Sequence, residues 1–147
     1  MTVGGSLEKL SREDCIRLLR MGVVGRVAVV VDGFPVIVPA NYRVIDDADG
    51  VGLTVRTRFG SQVDRALEAA LEVDGIDPLH HQGWSVLVRG LLGHLSDLDI
   101  ERLRGEVDPH PWVSERDSWL VLRPVSITGR RLLPPELLWE FSLRGYL

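Results

Sequence analysis

Few residues in this chain of 147 can do chemistry unaided. His80 and His81 come nearest to a metal-binding pair, but adjacent side chains on an extended segment point to opposite faces. No cysteine or third histidine lies near them at ligand spacing, so they read as a polar loop. Cys15 falls on the apolar stripe of a predicted helix, as expected of a buried, inert thiol. There is no Walker loop, no Gly-x-Gly-x-x-Gly after a strand and no Gly-x-Ser-x-Gly elbow.

Three segments carry more. VPANY (38–42) is β-like, yet Pro39 withholds an N–H from any ladder, so one edge must face something other than a strand. A ligand is one candidate. RTRFGSQ (56–62) runs from a strand end through a glycine turn into a helix start. Backbone N–H groups there suit a phosphate, and Arg56 and Arg58 supply charge. QGWSVLVRG (82–90) opens a long strand with Trp84 and Ser85.

The elements that must position these residues follow from periodicity. Ser11 caps a helix over 11–20, with Glu13 and Asp14 in its first turn and Gly22 as a left-handed stop. Asp32-Gly33 closes a tight hairpin between strands 24–31 and 35–45. VGLTVRT (51–57) is a short strand, 61–69 a helix, and 70–73 a strand. The strand from Trp84 to Ser96 contains Gly90 and Gly93, which mark bends or bulges. A helix capped by Ser96 or Asp97 and an irregular loop precede a last strand region, SWLVLRPVSITGRRL. Residues 1–10 read as a mobile arm and 132–147 as a tail, leaving 11–131 as the domain. Six strands with two or three short helices, linked mainly by hairpins, predict an antiparallel barrel rather than a doubly wound sheet.

Composition sets the outer bounds. The chain is 45% hydrophobic and 26% charged, which suits one globular domain and excludes a largely disordered chain. A net charge of −4 argues against a nucleic-acid partner. No run of 18 apolar residues predicts a membrane span, and no signal segment is visible, so a cytoplasmic location is expected. Of the 17 basic residues only Lys9 is lysine, so an anion site must use arginine or backbone N–H groups.

Four stretches together resemble the pyridoxamine 5′-phosphate oxidase-like flavin-binding proteins, in particular their small actinobacterial-type members. These are GRVAVVVDGFPVIVPANY, VRTRFGS, LEVDGIDPLHHQGWSVLVRG and DSWLVLRPVSITGRR. The resemblance implies a six-stranded split β-barrel of Greek-key topology that forms a homodimer, with FMN in a groove at the dimer interface. It implies that Arg56, Thr57, Arg58, Gly60, Ser61 and Gln62 hold the phosphate. It places the flavin ring along Pro39, Ala40 and Asn41, and Trp84 and Ser85 near the ribityl chain or ring edge. Trp119 and Arg123 resemble the late Trp and Arg contributed by the partner subunit.

One departure matters. Where the family carries a lysine, often with a neighbouring arginine, this chain has Ser61 and Gln62. A charge-assisted hydrogen bond contributes about 1.5–3 kcal/mol against about 1 for a neutral one, so affinity falls by about tenfold unless Arg58 or Arg65 compensates. The expected activity is an FMN-dependent oxidoreductase acting on a small-molecule electron donor or acceptor, with His110 as a candidate proton donor. The alternatives are a reductase using the deazaflavin coenzyme and a dimeric module without turnover. Oxidation of pyridoxamine phosphate itself is not expected, because only scattered arginines remain for a substrate phosphate. The homodimer is expected too from Trp84, Trp112 and Trp119 and from the apolar tail.

Overall fold

The computed structural model describes residues 4–103, 109 and 118–135. The elements run in the order β1 (Ser6–Lys9), α1 (Arg12–Met21), β2 (Val24–Val31), β3 (Phe34–Asp47), β4 (Gly50–Thr57) and α2 (Gln62–Arg65). They continue with β5 (Glu68–Asp77), β6 (Gln82–His94), α3 (Asp97–Leu103) and β7 (Ser118–Leu133).

All strand pairs are antiparallel, in the order β1-β7-β4-β3-β2-β5-β6, and β6 also pairs with β7. Six strands therefore close a ring, and β1 adds to it through β7. The consecutive strands β2, β3 and β4 are followed by β5 returning beside β2, a Greek key. This is the split-barrel fold with three short helices.

Local chemistry explains most boundaries. The Asp14 N–H donates to Ser11 Oγ (3.1 Å), which starts α1 as predicted. Asp32 and Gly33 have φ of 51° and 81°, the two positive values that a tight hairpin requires. The ladder shifts register between Arg89 and Gly90, a bulge where glycine was taken to mark one. Alternate residues Val27, Val29, Leu71, Val73, Val86 and Val88 turn inward and are buried with Leu53, Leu120 and Leu122.

Several expectations are corrected. Residues 6–9 are a strand on β7, not part of a mobile arm. Residues 132–133 still belong to β7, not to a tail. The helix expected over 61–69 spans only Gln62–Arg65, and β5 is ten residues long instead of four. Burial alternates from Glu68 onward, so the strand period wins over the helix-forming alanines. Gly22 is extended (φ −83°, ψ 161°), not left-handed. Its lack of a side chain serves packing, since a Cβ there would collide with the Tyr42 hydroxyl.

Candidate functional site

An opening in the barrel wall lies at Pro39. From Phe34 to Asn41, β3 pairs only with β2; its ladder to β4 begins at Tyr42 opposite Val55. The Tyr42 N–H donates to the Val23 carbonyl (2.9 Å). Backbone groups alternate in direction along a strand, so those of Pro35, Pro39 and Asn41 face away from β2, toward the opening. That is how two prolines sit inside a 14-residue strand without orphaning a ladder bond.

Asn41 and Arg56 are the first residues beyond the parting of β3 and β4. The Asn41 side-chain amide nitrogen is buried without a hydrogen-bond partner among the described residues. Arg56 stacks its guanidinium on the buried Trp119 ring, 4.8 Å from its centroid. The β4–β7 register pairs the same two residues.

The following turn is tightly bonded. The Ser61 N–H donates to the Arg58 carbonyl (3.0 Å), with Gly60 at φ 74°, a value glycine takes without strain. Ser61 Oγ lies 2.8 Å from Thr57 Oγ1 and accepts from the Asp64 N–H (3.2 Å). The Gly60 N–H, expected to face a phosphate, faces an anion of the chain's own: it donates to Asp64 Oδ2 at 2.7 Å.

Asp64 is the residue that sequence reasoning passed over. Only 5% exposed, it also accepts from Ser118 Oγ and bonds His94 Nε2 (2.9 Å). Burial pushes its carboxyl up, but the bonds from Ser118, Gly60 and His94 outweigh this and hold it below the usual carboxylate range. Both Ser118 and His94 address the carboxylate, and no serine–histidine bond links them, so this is not a nucleophilic triad. Its one sequence signal is an aspartate three residues after a capping serine.

The remaining expected residues fall elsewhere. Arg58 and Gln62 are exposed at the turn, and Ala40 is half-buried on β3. Trp84 and Ser85 sit near the start of β6, where Trp84 packs over Gly75. Following the register, β2 and β5 stand between Ser85 and the open segment of β3, about 14 Å around the wall at roughly 4.8 Å per strand. Arg123 is four residues from Trp119 and closes the β3–β4 hairpin, donating to Asp47 Oδ1 (2.9 Å) and Oδ2 (2.7 Å) and to the Gly50 carbonyl (3.1 Å). His80 Nδ1 lies 2.6 Å from Asp77 Oδ2. The Cys15 thiol is buried, and burial pushes its pKa up. His110, Trp112 and residues 136–147 lie outside the described residues.

Comparison with known proteins bears on this arrangement. Residues 11–131 match the family described as pyridoxamine 5′-phosphate oxidase. An uncharacterised protein of Mycobacterium tuberculosis is 33% identical over 131 residues, 85% of each chain. The structure of the FAD binding protein from Mycobacterium smegmatis is similar at a TM-score of 0.69 and 30% identity, over 86% of this chain and 98% of that one. A FAD-binding protein from Mesorhizobium loti shares the fold at a TM-score of 0.69 and 23% identity, over 88% of this chain and 98% of that one. With its closed ring of strands, its parted β3 and β4 and a match across residues 11–131, the chain belongs to the pyridoxamine 5′-phosphate oxidase family.

Proposed function

We propose that this protein is a flavin-dependent oxidoreductase that binds its cofactor at the interface of a homodimer. The observation that carries the reading is the unpartnered Asn41 amide at the opening between β3 and β4. The flavin ring edge presents carbonyl and ring-nitrogen acceptors, and a buried donor without a partner suits them. The backbone of Pro39 and Ala40 continues that edge. Arg56 and Arg58 supply positive charge for the phosphate arm, with Thr57, Gly60, Ser61 and Gln62 forming the turn beneath it. When bound, the flavin supplies hydride and electron transfer, which is why the chain needs no strong acid or base of its own. The residues here bind and orient the cofactor, and the parted strands leave its outer side open to a small-molecule donor or acceptor.

The homodimer is supported by an exposed apolar face. Val30 (71% exposed) and Ile37 (65%), the latter opposite Ala28, lie on the outward face of the β2–β3 hairpin, and Val30 borders one depression with Leu91 and Val125. That depression, of about 510 Å³, is floored by Ala28 and Ala70. An apolar surface of this kind marks a protein contact. A second copy is also the arrangement in which Trp84 and Ser85 of one chain meet the open β3 segment of the other, since β2 and β5 separate them within a chain.

FMN is the first reading for the cofactor. The Asp64 carboxylate on Gly60 favours a second, FAD. A terminal phosphate monoester brings about −1.5 to −2 charge to one spot, whereas a pyrophosphate divides its charge between two phosphates. The 30%-identical relative named for FAD agrees. The deazaflavin coenzyme is a third candidate, with Arg56, Arg58 and Arg65 to meet its acidic tail.

The test is an absorbance scan of the purified protein after incubation with each cofactor and desalting. Retained flavin bands are expected, with Asn41→Ala weakening retention about tenfold, the loss of one good hydrogen bond in a dry site. A protein that stays colourless with FMN, FAD and the deazaflavin coenzyme overturns the reading in favour of a dimeric module without turnover.

A further inference from the structure

The β1–β7 register sets the only lysine of the chain, Lys9, directly opposite Arg130. The Leu10 N–H donates to the Gly129 carbonyl (2.9 Å), so Lys9 and Arg130 form the neighbouring pair without ladder bonds between them. Side chains approach most closely in such pairs, and like charges directly opposite are unfavourable. Among the described residues neither cation has a carboxylate within salt-bridge distance. Glu8 lies next to Lys9 on β1, but strand alternation turns it to the other face, opposite Arg131. In a chain of net charge −4, two cations meeting without a counter-charge call for an anion.

The surroundings supply more than charge. Lys9 and Arg130 border a depression of about 470 Å³ together with Thr128, Gly129 and the β1 segment Leu7 and Glu8. Thr128 lies two residues from Arg130 on the same exposed face of β7, and Ser85 is paired with Arg130 across the β6–β7 ladder. Both hydroxyls are free to donate, because no side-chain partner is present for either among the described residues. Gly129, between Thr128 and Arg130, faces the other way: it is buried, and a Cβ there would press inward on the Cys15 sulfur.

We propose that Lys9, Arg130 and Thr128, with Ser85 at the edge, form an anion-binding subsite for a phosphate group. An ammonium, a planar guanidinium fork and two hydroxyls match the several acceptor oxygens of a phosphate. The subsite stands whether or not the turn at 57–62 binds flavin, because it uses none of the turn's residues.

The test uses inorganic pyrophosphate as the probe, followed by calorimetric titration at low ionic strength, where screening is weak. The full-length protein is expected to bind it saturably. Lys9→Ala and Arg130→Ala should weaken binding at least tenfold, and Arg102→Ala, an exposed cation on α3, should leave it unchanged. Both alanine variants should melt no lower than the parent without pyrophosphate, since each removes a repulsion, and should lose the stabilisation that pyrophosphate gives the parent. No saturable binding, or binding lost only in Arg58→Ala, at the turn, overturns the proposal; Lys9 is then only a charge that keeps an edge strand from pairing. The source of the phosphate is read from flavin titrations. Arg130→Ala weakening FAD but sparing FMN assigns the subsite to the second phosphate of the cofactor. Sparing both while losing pyrophosphate assigns it to a phosphate on the substrate. Weakening both alike assigns it to the phosphate that the two flavins share.

Discussion

Tyr42 shows how one side chain can join two elements and set a pH limit. It is fully buried, and its hydroxyl donates to the Leu19 carbonyl (2.6 Å) near the end of α1. Gly22 is the glycine that leaves room for it. Burial, partly offset by the charge of Arg43, pushes the phenol up to about 12. The unfolded chain loses this proton near pH 10, the folded chain about two units later. The folded state therefore holds more protons between these values, and stability falls as pH rises through that window. Urea unfolding at pH 9 and pH 11 should show an alkaline loss of about 1.3 kcal/mol from this group. Tyr42→Phe should be less stable by about 1 kcal/mol at pH 7, from the lost hydrogen bond, and should lack that part of the alkaline loss.

At the scale of elements, the node at Asp64 joins parts that lie far apart in the chain. Its carboxylate gathers the turn through Gly60, β6 through His94 and β7 through Ser118. Asp64→Ala leaves those donors without their acceptor and should cost about 2–4 kcal/mol in chemical denaturation. Asp64→Asn, which keeps an acceptor oxygen, should cost less. Because the folded pKa of Asp64 is depressed, its contribution is present above the unfolded value near 4 and is lost as pH falls through the folded one. The acid limb of the stability profile should accordingly flatten in Asp64→Asn. Much else at this scale was legible in the sequence. The capped start of α1, the Asp32-Gly33 hairpin and the Gly90 bulge are each written in a few adjacent residues. The brevity of α2 was not, because its alanines suit a helix until β5 pairs on both sides with β2 and β6.

At the scale of the molecule, the proposed homodimer draws on two features, the apolar β2–β3 face and the separation of Ser85 from β3. Ile37→Asp places a charge in the middle of that face without touching the core. Sedimentation should then show a dimer for the parent chain and a monomer for the variant. Flavin retention should fall together with the dimer if the cofactor lies between the two copies. A variant that stays dimeric would move the contact to another face.

The sequence by itself determined the barrel, the place of its opening and the family. Alternating β-branched residues, turn dipeptides and a mid-strand proline act over a few residues, and the family resemblance spans most of the chain. The tertiary structure alone decided which charges meet. Asp64 comes to lie under Ser118 and His94, Lys9 faces Arg130 from the far end of the chain, and Arg123 turns to Asp47 within its own chain. Partners of this kind are set by ladder register and barrel closure, which join strands distant in sequence, and no local spacing of residues encodes them.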